Sequence, residues 1–203
     1  MALATYANLK AAVATWLSRA DQTTNIVDFI TLAHDKLMRT LRTREMETID
    51  TAMSISAETN TVPTLWLETR NIVITSTAPR YELAFVTPEQ LITKNSSAAT
   101  GVPKYFSVVG GNFQFAPIPD ITYTATHIYY ATLAQMSADS DHNWILDSHP
   151  DLYLYGALLE SVSLIQDDPR IALWQQRFDR AFAEVSRNSQ LAKSSSGMTI
   201  RAG

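Results

Sequence analysis

The 203-residue chain has no cysteine, so disulfides and thiolate-bound metals are excluded. It has no apolar run of about 18 residues, so no membrane-spanning helix is expected. Its six glycines are scattered and form neither a dinucleotide-binding nor a P-loop pattern. No G-x-S-x-G elbow occurs, and a cysteine nucleophile is ruled out by composition. Charged residues make up 18% of the chain, below the usual level of about a quarter. A weakly charged surface is compatible with large protein–protein contacts. The opening Met1-Ala-Leu-Ala-Thr-Tyr lacks the basic and apolar regions of a signal peptide. The expectation is a protein made in a cytoplasm, without membrane association.

Charge is distributed unevenly. Met1 to Lys104 is balanced, with 10 basic and 10 acidic residues. Tyr105 to Pro169 contains no Lys or Arg and 8 acidic residues, whereas Arg170 to Gly203 has 6 basic and 2 acidic ones. Such an acidic block and basic end can be solvated surface, or can set register between copies packed head to tail.

Helical periodicity marks both ends of the chain. Thr5 caps a first helix with Tyr6, Leu9, Val13, Trp16 and Leu17 on one face. Asn25, with Asp28 three residues on, opens a second helix whose face is Ile26, Phe29, Ile30, Ala33, Leu37 and Leu41. A third spans about Ser148–Gln166, with Ser148 as cap, Pro150 in the first turn and Asp151 at capping-box spacing. It is apolar nearly all round, from Leu152 to Val162, and so should be buried within a domain or between subunits. Asp168 and Pro169 start a fourth helix to about Leu191, with Ile171, Trp174, Phe178, Phe182 and Val185 inward.

The middle of the chain reads as β structure. Ile49–Ile55, Trp66–Ile74 and Arg80–Val86 are short runs rich in β-branched and aromatic residues. Thr87 caps a single helical turn. Tyr105–Val109 and Asn112–Ala116 flank Gly110-Gly111, a two-residue hairpin signal. Ile121–Ala131 is a final strand with His127 and Tyr129 on one face. Met53–Glu68 carries only a weak strand pattern. The expected fold class is α+β. Residues 1–48 and 146–192 form a helical bundle of N- and C-terminal helix pairs, 49–145 an inserted antiparallel β lobe, and 193–203 a flexible C-terminal arm.

Candidate chemistry is sparse. Asp139, Asp141, His142, Asp147 and His149 lie within eleven residues and are suitable metal ligands, but their spacing matches no known ligand frame. A polar loop with helix caps is the simpler reading. His34 and His127 read as a helix-surface and a strand residue. Lys36, Arg39, Arg42 and Arg44 form the densest basic patch, a DNA-contacting helix face or a solvated one. Scattered acids leave a cell-wall hydrolase as a weaker alternative. No cofactor is expected. The arm has no periodic face, yet carries Met198 and Ile200; a segment of that kind orders on a partner or remains free.

One pattern spans most of the chain. Its parts are Tyr6-Ala-Asn-Leu-Lys; Tyr81-Glu-Leu-Ala-Phe-Val-Thr-Pro-Glu-Gln-Leu; Gly101-Val-Pro-Lys-Tyr through Asn112-Phe-Gln-Phe-Ala-Pro-Ile-Pro-Asp; His127-Ile-Tyr-Tyr; and Asn143 to Arg180. It resembles the head-to-tail adaptor (connector) proteins of tailed bacteriophages. That resemblance implies a non-enzymatic structural role at the virion neck. It implies a ring of about twelve copies joining the portal protein to the tail or nozzle protein, with double-stranded DNA passing through without sequence-specific binding. It also implies a portal-binding arm, here Lys193, Ser194, Gly197, Met198, Thr199, Ile200 and Arg201.

Overall fold

The computed structural model describes residues 3–18, 21–163 and 168–194. Among these, six α-helices and two four-stranded sheets divide into two compact units, Met1–Glu45 with Leu133–Gly203, and Met46–Thr132.

The first unit is helical. α1 spans Tyr6–Leu17 and α2 spans Thr23–Thr40. Thr5 caps α1, its side chain accepting from Asn8 N–H. α2 starts two residues earlier than Asn25, with Gln22 at the cap position and no side-chain cap bond; Asn25 instead donates to Gln22 Oε1. The inward face of α2 is as expected, with Ile26, Phe29, Ile30, Ala33, Leu37 and Leu41 all buried. On α1, Tyr6, Leu9, Val13 and Leu17 are buried, while Trp16 is 42% exposed and packs its edge on Tyr155.

The third expected helix is two helices. α4 (Trp144–Ser148) is capped by Asn143, whose side chain accepts from Leu146 N–H, and α5 covers Pro150–Glu160. Ser148 is therefore the last residue of α4, not an N-cap. The break lies at His149 (φ −139°, ψ 57°), because the ring of Pro150 clashes with a helical conformation at the residue before it. The Asp151 carboxylate accepts from Leu152 N–H rather than closing a capping box. Leu152 through Leu158 are buried without interruption, as the all-round apolar pattern requires. α5 packs against α1, α2, α4 and α6 (Arg170–Ser194). At Gly156 an added Cβ would lie 3.1 Å from the Ala33 Cβ and 3.4 Å from the Phe178 ring, so glycine lets α2 and α6 pack closely on α5. α6 buries Trp174, Phe178, Ala181, Val185 and Ser189, one helical stripe; Ile171 and Phe182 are half-buried at its edge.

The second unit holds the sheets. One has the order β1 (Glu47–Ile55), β8 (Tyr123–Ala131), β3 (Trp66–Ile74), β4 (Tyr81–Glu82); the other runs β2 (Thr59–Thr61), β7 (Asn112–Ala116), β6 (Tyr105–Val109), β5 (Ala84–Phe85). Met53, Ile55, Ile72, Ile74 and Ala125 of the first share one core with Phe106, Phe113 and Phe115 of the second. The expected Arg80–Val86 strand is divided at buried Leu83, so that β4 and β5 join different sheets. The lobe is not purely antiparallel, since β5 runs parallel to β6. The weak Met53–Glu68 stretch supplies β2, which pairs with β7. Gly110 (φ 57°) and Gly111 (φ 77°) take the left-handed conformation of the β6–β7 turn. Thr87 caps α3 (Pro88–Lys94) with a full capping box involving Gln90.

Candidate interaction surfaces

The acidic loop before α4 is structural. Tyr6 N–H donates to the Asp141 carbonyl at 2.8 Å and Ala7 N–H to the Asp139 carbonyl at 3.1 Å. Two first-turn amides of α1, which no helical carbonyl can satisfy, are thus satisfied by this loop. Lys10 Nζ pairs with the Asp139 carboxylate at 2.6 Å. The Asp141 carboxylate accepts from Ser137 and Ala138 N–H at 2.7 and 2.8 Å, and these bonds hold its pKa below the usual carboxylate range. His142 pairs with Asp147, and the His149 ring meets Trp144 edge-on. Among the described residues no group of three His, Asp or Glu could hold a metal ion.

Behind that loop lies a polar chain that sequence reasoning missed. His34 is only 3% exposed, so it is not a helix-surface residue. Its Nε2 lies 3.2 Å from the Leu133 carbonyl and its Nδ1 lies 2.8 Å from the Tyr153 hydroxyl. A carbonyl only accepts, so Nε2 carries the proton and Nδ1 accepts from the tyrosine. Tyr153 oxygen accepts in turn from Asn143 Nδ2 at 2.9 Å, and Asn143 caps α4. One buried chain therefore ties α2, α4, α5 and the residues after the β lobe. Burial lowers the His34 pKa and raises that of Tyr153 to about 12, keeping both neutral. His127, also fully buried, is pushed down to about 4 by burial. It stacks on Tyr129, and its Nε2 lies 3.0 Å from Thr69 Oγ1.

The basic patch is not one helix face. α2 ends at Thr40, so Arg42 and Arg44 lie beyond it. Arg42 folds back to donate to the Met38 and Leu41 carbonyls, a C-terminal cap. Lys36 pairs with Glu160 at 3.6 Å and sits over the Phe178 ring. Arg39 alone in this set is exposed on the helix.

α6 starts and ends on firm contacts. Asp168 accepts from Arg170 N–H at 2.8 Å and holds the Arg170 guanidinium through both oxygens, which depresses the aspartate pKa. Arg170 also donates to the Trp16 carbonyl at the end of α1. Near the other end, Arg44 N–H donates to the buried Ser189 hydroxyl at 3.0 Å. The exposed side carries Arg177, Arg180 and Arg187, with Arg180 paired to Glu184. Lys193 and Ser194 close the helix; Gly197, Met198, Thr199, Ile200 and Arg201 lie outside the described residues.

The arrangement offers folded surfaces and a helix running into a C-terminal segment. A sequence model of the SU10 adaptor protein family matches residues 4–201, nearly the whole chain. The chain belongs to that family. It is a phage adaptor protein, a structural component associated with other head and tail proteins of the virion. No curated protein matches this SU10-type adaptor. Among its described residues, no helix is long and apolar enough to cross a membrane.

Proposed function

We propose that this adaptor works as a closed ring, of about twelve copies, between the portal and the tail or nozzle protein, with the genome passing through its lumen. The helices close as a bundle around α5, and each copy presents two unlike faces to its neighbours, as a heterologous ring requires. The family match over residues 4–201 is the observation that carries this reading. The internal pairing of the acidic block supports it. Asp139, Glu160 and Asp168 are engaged with Lys10, Lys36 and Arg170.

The arm, from Lys193 and Ser194 through Gly197, Met198, Thr199, Ile200 and Arg201, attaches to the portal. Its base is held by the Arg44–Ser189 bond. Met198 and Ile200 supply apolar anchors and Arg201 a cation. Each arm gives up chain entropy on binding and is weak alone, but many arms on one ring bind with avidity. The test compares the full chain with a chain ending at Ser194 for binding to purified portal rings. Loss of binding with unchanged thermal stability is expected. Unchanged affinity would refute the arm's role.

A further inference from the structure

A closed heterologous ring needs two unlike faces on each copy that fit one another. Two exposed faces of this chain match in spacing, polarity and charge, and they belong to different units.

The first is on the helical unit. α5 and α6 border a groove of roughly 480 Å³, with buried Tyr155 and Ala181 as its floor. One wall is a single stripe of α6: Leu173, Gln176, Arg177, Arg180 and Glu184. Leu173 is 46% exposed. Arg177 follows one turn later, exposed and with no ion-pair or hydrogen-bond partner among the described residues. The other charges of the groove are engaged. Arg180 holds Glu184 at 3.0 Å, and the Asp151 carboxylate accepts from Leu152 N–H at the start of α5, where the helix dipole offsets its charge. Leu32 and Lys36 repeat the apolar–cation spacing on α2, but Lys36 is paired with Glu160.

The second face is on the β lobe. Ile92 of α3 is 71% exposed, more than any other large apolar side chain among the described residues. Leu91 is buried and anchors α3 with Val86 and Ala116, and the Thr87–Gln90 capping box fixes its start. Glu89 lies three residues before Ile92, on the same side of the helix, exposed and in no ion pair among the described residues. Hydrogen bonds from its own N–H and from Thr87 hold its carboxyl below the usual carboxylate range, so it is charged near neutral pH. The acids beside Ile121 and Ile49 differ: Asp120 takes the Tyr123 hydroxyl and Asp50 the Ala52 N–H.

Side chains three and four apart on a helix lie about 5–6 Å from each other. The acid–apolar pair of α3 therefore matches the apolar–cation pair of α6, and both contacts form at once. We infer that α3 of one copy seats in the α5–α6 groove of its neighbour, with Ile92 on Leu173 and Glu89 against Arg177. This rests on the ring reading above and supplies its two unlike faces. The contact repeats head to tail and covers, in every copy, two apolar side chains that the single chain exposes.

The absence of cysteine makes the test direct. A full-length chain carrying both Ile92→Cys and Leu173→Cys is oxidised at high concentration and, separately, on purified portal rings. A ladder of linked dimers, trimers and higher multiples is expected in both, reaching about twelve copies on the portal. Arg177→Glu in the same chain should cut the linked fraction about tenfold, because like charges then face each other across the contact. Adding Glu89→Arg should restore it. A ladder no stronger than that of Ile121→Cys with Leu173→Cys overturns the inference, since Ile121 is exposed but outside α3. So does a link confined to single chains, a dimer from either cysteine alone, or no restoration by Glu89→Arg. Portal binding is measured separately on the unmodified chain. Binding without a ladder removes this contact and leaves the adaptor reading; a ladder without portal binding removes the adaptor reading and leaves the contact standing.

Discussion

Replacing Tyr153 by Phe removes one oxygen and changes little else, since the ring stays fully buried. That oxygen makes two bonds, donating to His34 Nδ1 at 2.8 Å and accepting from Asn143 Nδ2 at 2.9 Å. Each bond is worth about 1 kcal/mol net, and each buried group left unsatisfied adds about 1–3 kcal/mol. His34 cannot escape by shifting its proton to Nδ1, because Nε2 must then abandon the Leu133 carbonyl. Asn143 is partly exposed and can turn to water, which limits its share. The expected destabilisation is about 2–4 kcal/mol, read as a shift of the urea midpoint at constant slope. Combining Tyr153→Phe with Asn143→Ala should cost less than the two single losses added, because they share a bond. A Tyr153→Phe change under about 0.5 kcal/mol, or strict additivity in the cycle, would show that the chain does not couple these elements.

Three further outcomes follow from the same unit and from the buried histidines. Trp174→Ala should cost about 3–5 kcal/mol in denaturant unfolding, and Phe182→Ala, half-buried on the same helix, clearly less; equal costs would place Trp174 outside the core. Gly156→Leu should destabilise by about 1–3 kcal/mol, because an added Cβ alone would lie 3.1 Å from Ala33 Cβ; a neutral result would mean that α2 and α6 do not pack on α5 as described. Stability should fall in acid. His34 and His127 both have folded pKa values below the unfolded value of about 6.5. Between those values the unfolded chain binds more protons, so stability rises with pH there and is fully present above about 6.5. For His127 the loss runs down to its pKa of about 4; unfolding midpoints at pH 5 and pH 7.5 that coincide would contradict this.

Much of the secondary structure was legible because single residues enforce it. Seven consecutive buried positions in α5 match a helix with no polar face, and Trp66–Ile74 forms the strand its β-branched residues predict. Gly110-Gly111 could be read as a hairpin turn since both residues need positive φ. The missed features are those in which a local signal is outweighed by a distant partner. Ser148 has a cap's chemistry, but Asn143 is positioned to cap α4 and Pro150 forces a break at His149. The Asp139–His149 cluster has a metal site's composition, yet its carbonyls receive the first-turn amides of α1, more than 130 residues earlier in the chain. His34 reads as a surface position by type; only the folded chain brings Tyr153 and Leu133 to its two nitrogens.

The ring reading is tested most directly by native mass spectrometry of the chain alone and with purified portal rings. Alone, at micromolar concentration, a monomer or small oligomer is expected. With portal, a single species carrying about twelve copies per portal ring should form, and a chain ending at Ser194 should fail to form it. A stable twelve-copy ring without portal would contradict partner-dependent assembly. No defined stoichiometry on the portal would contradict the ring itself.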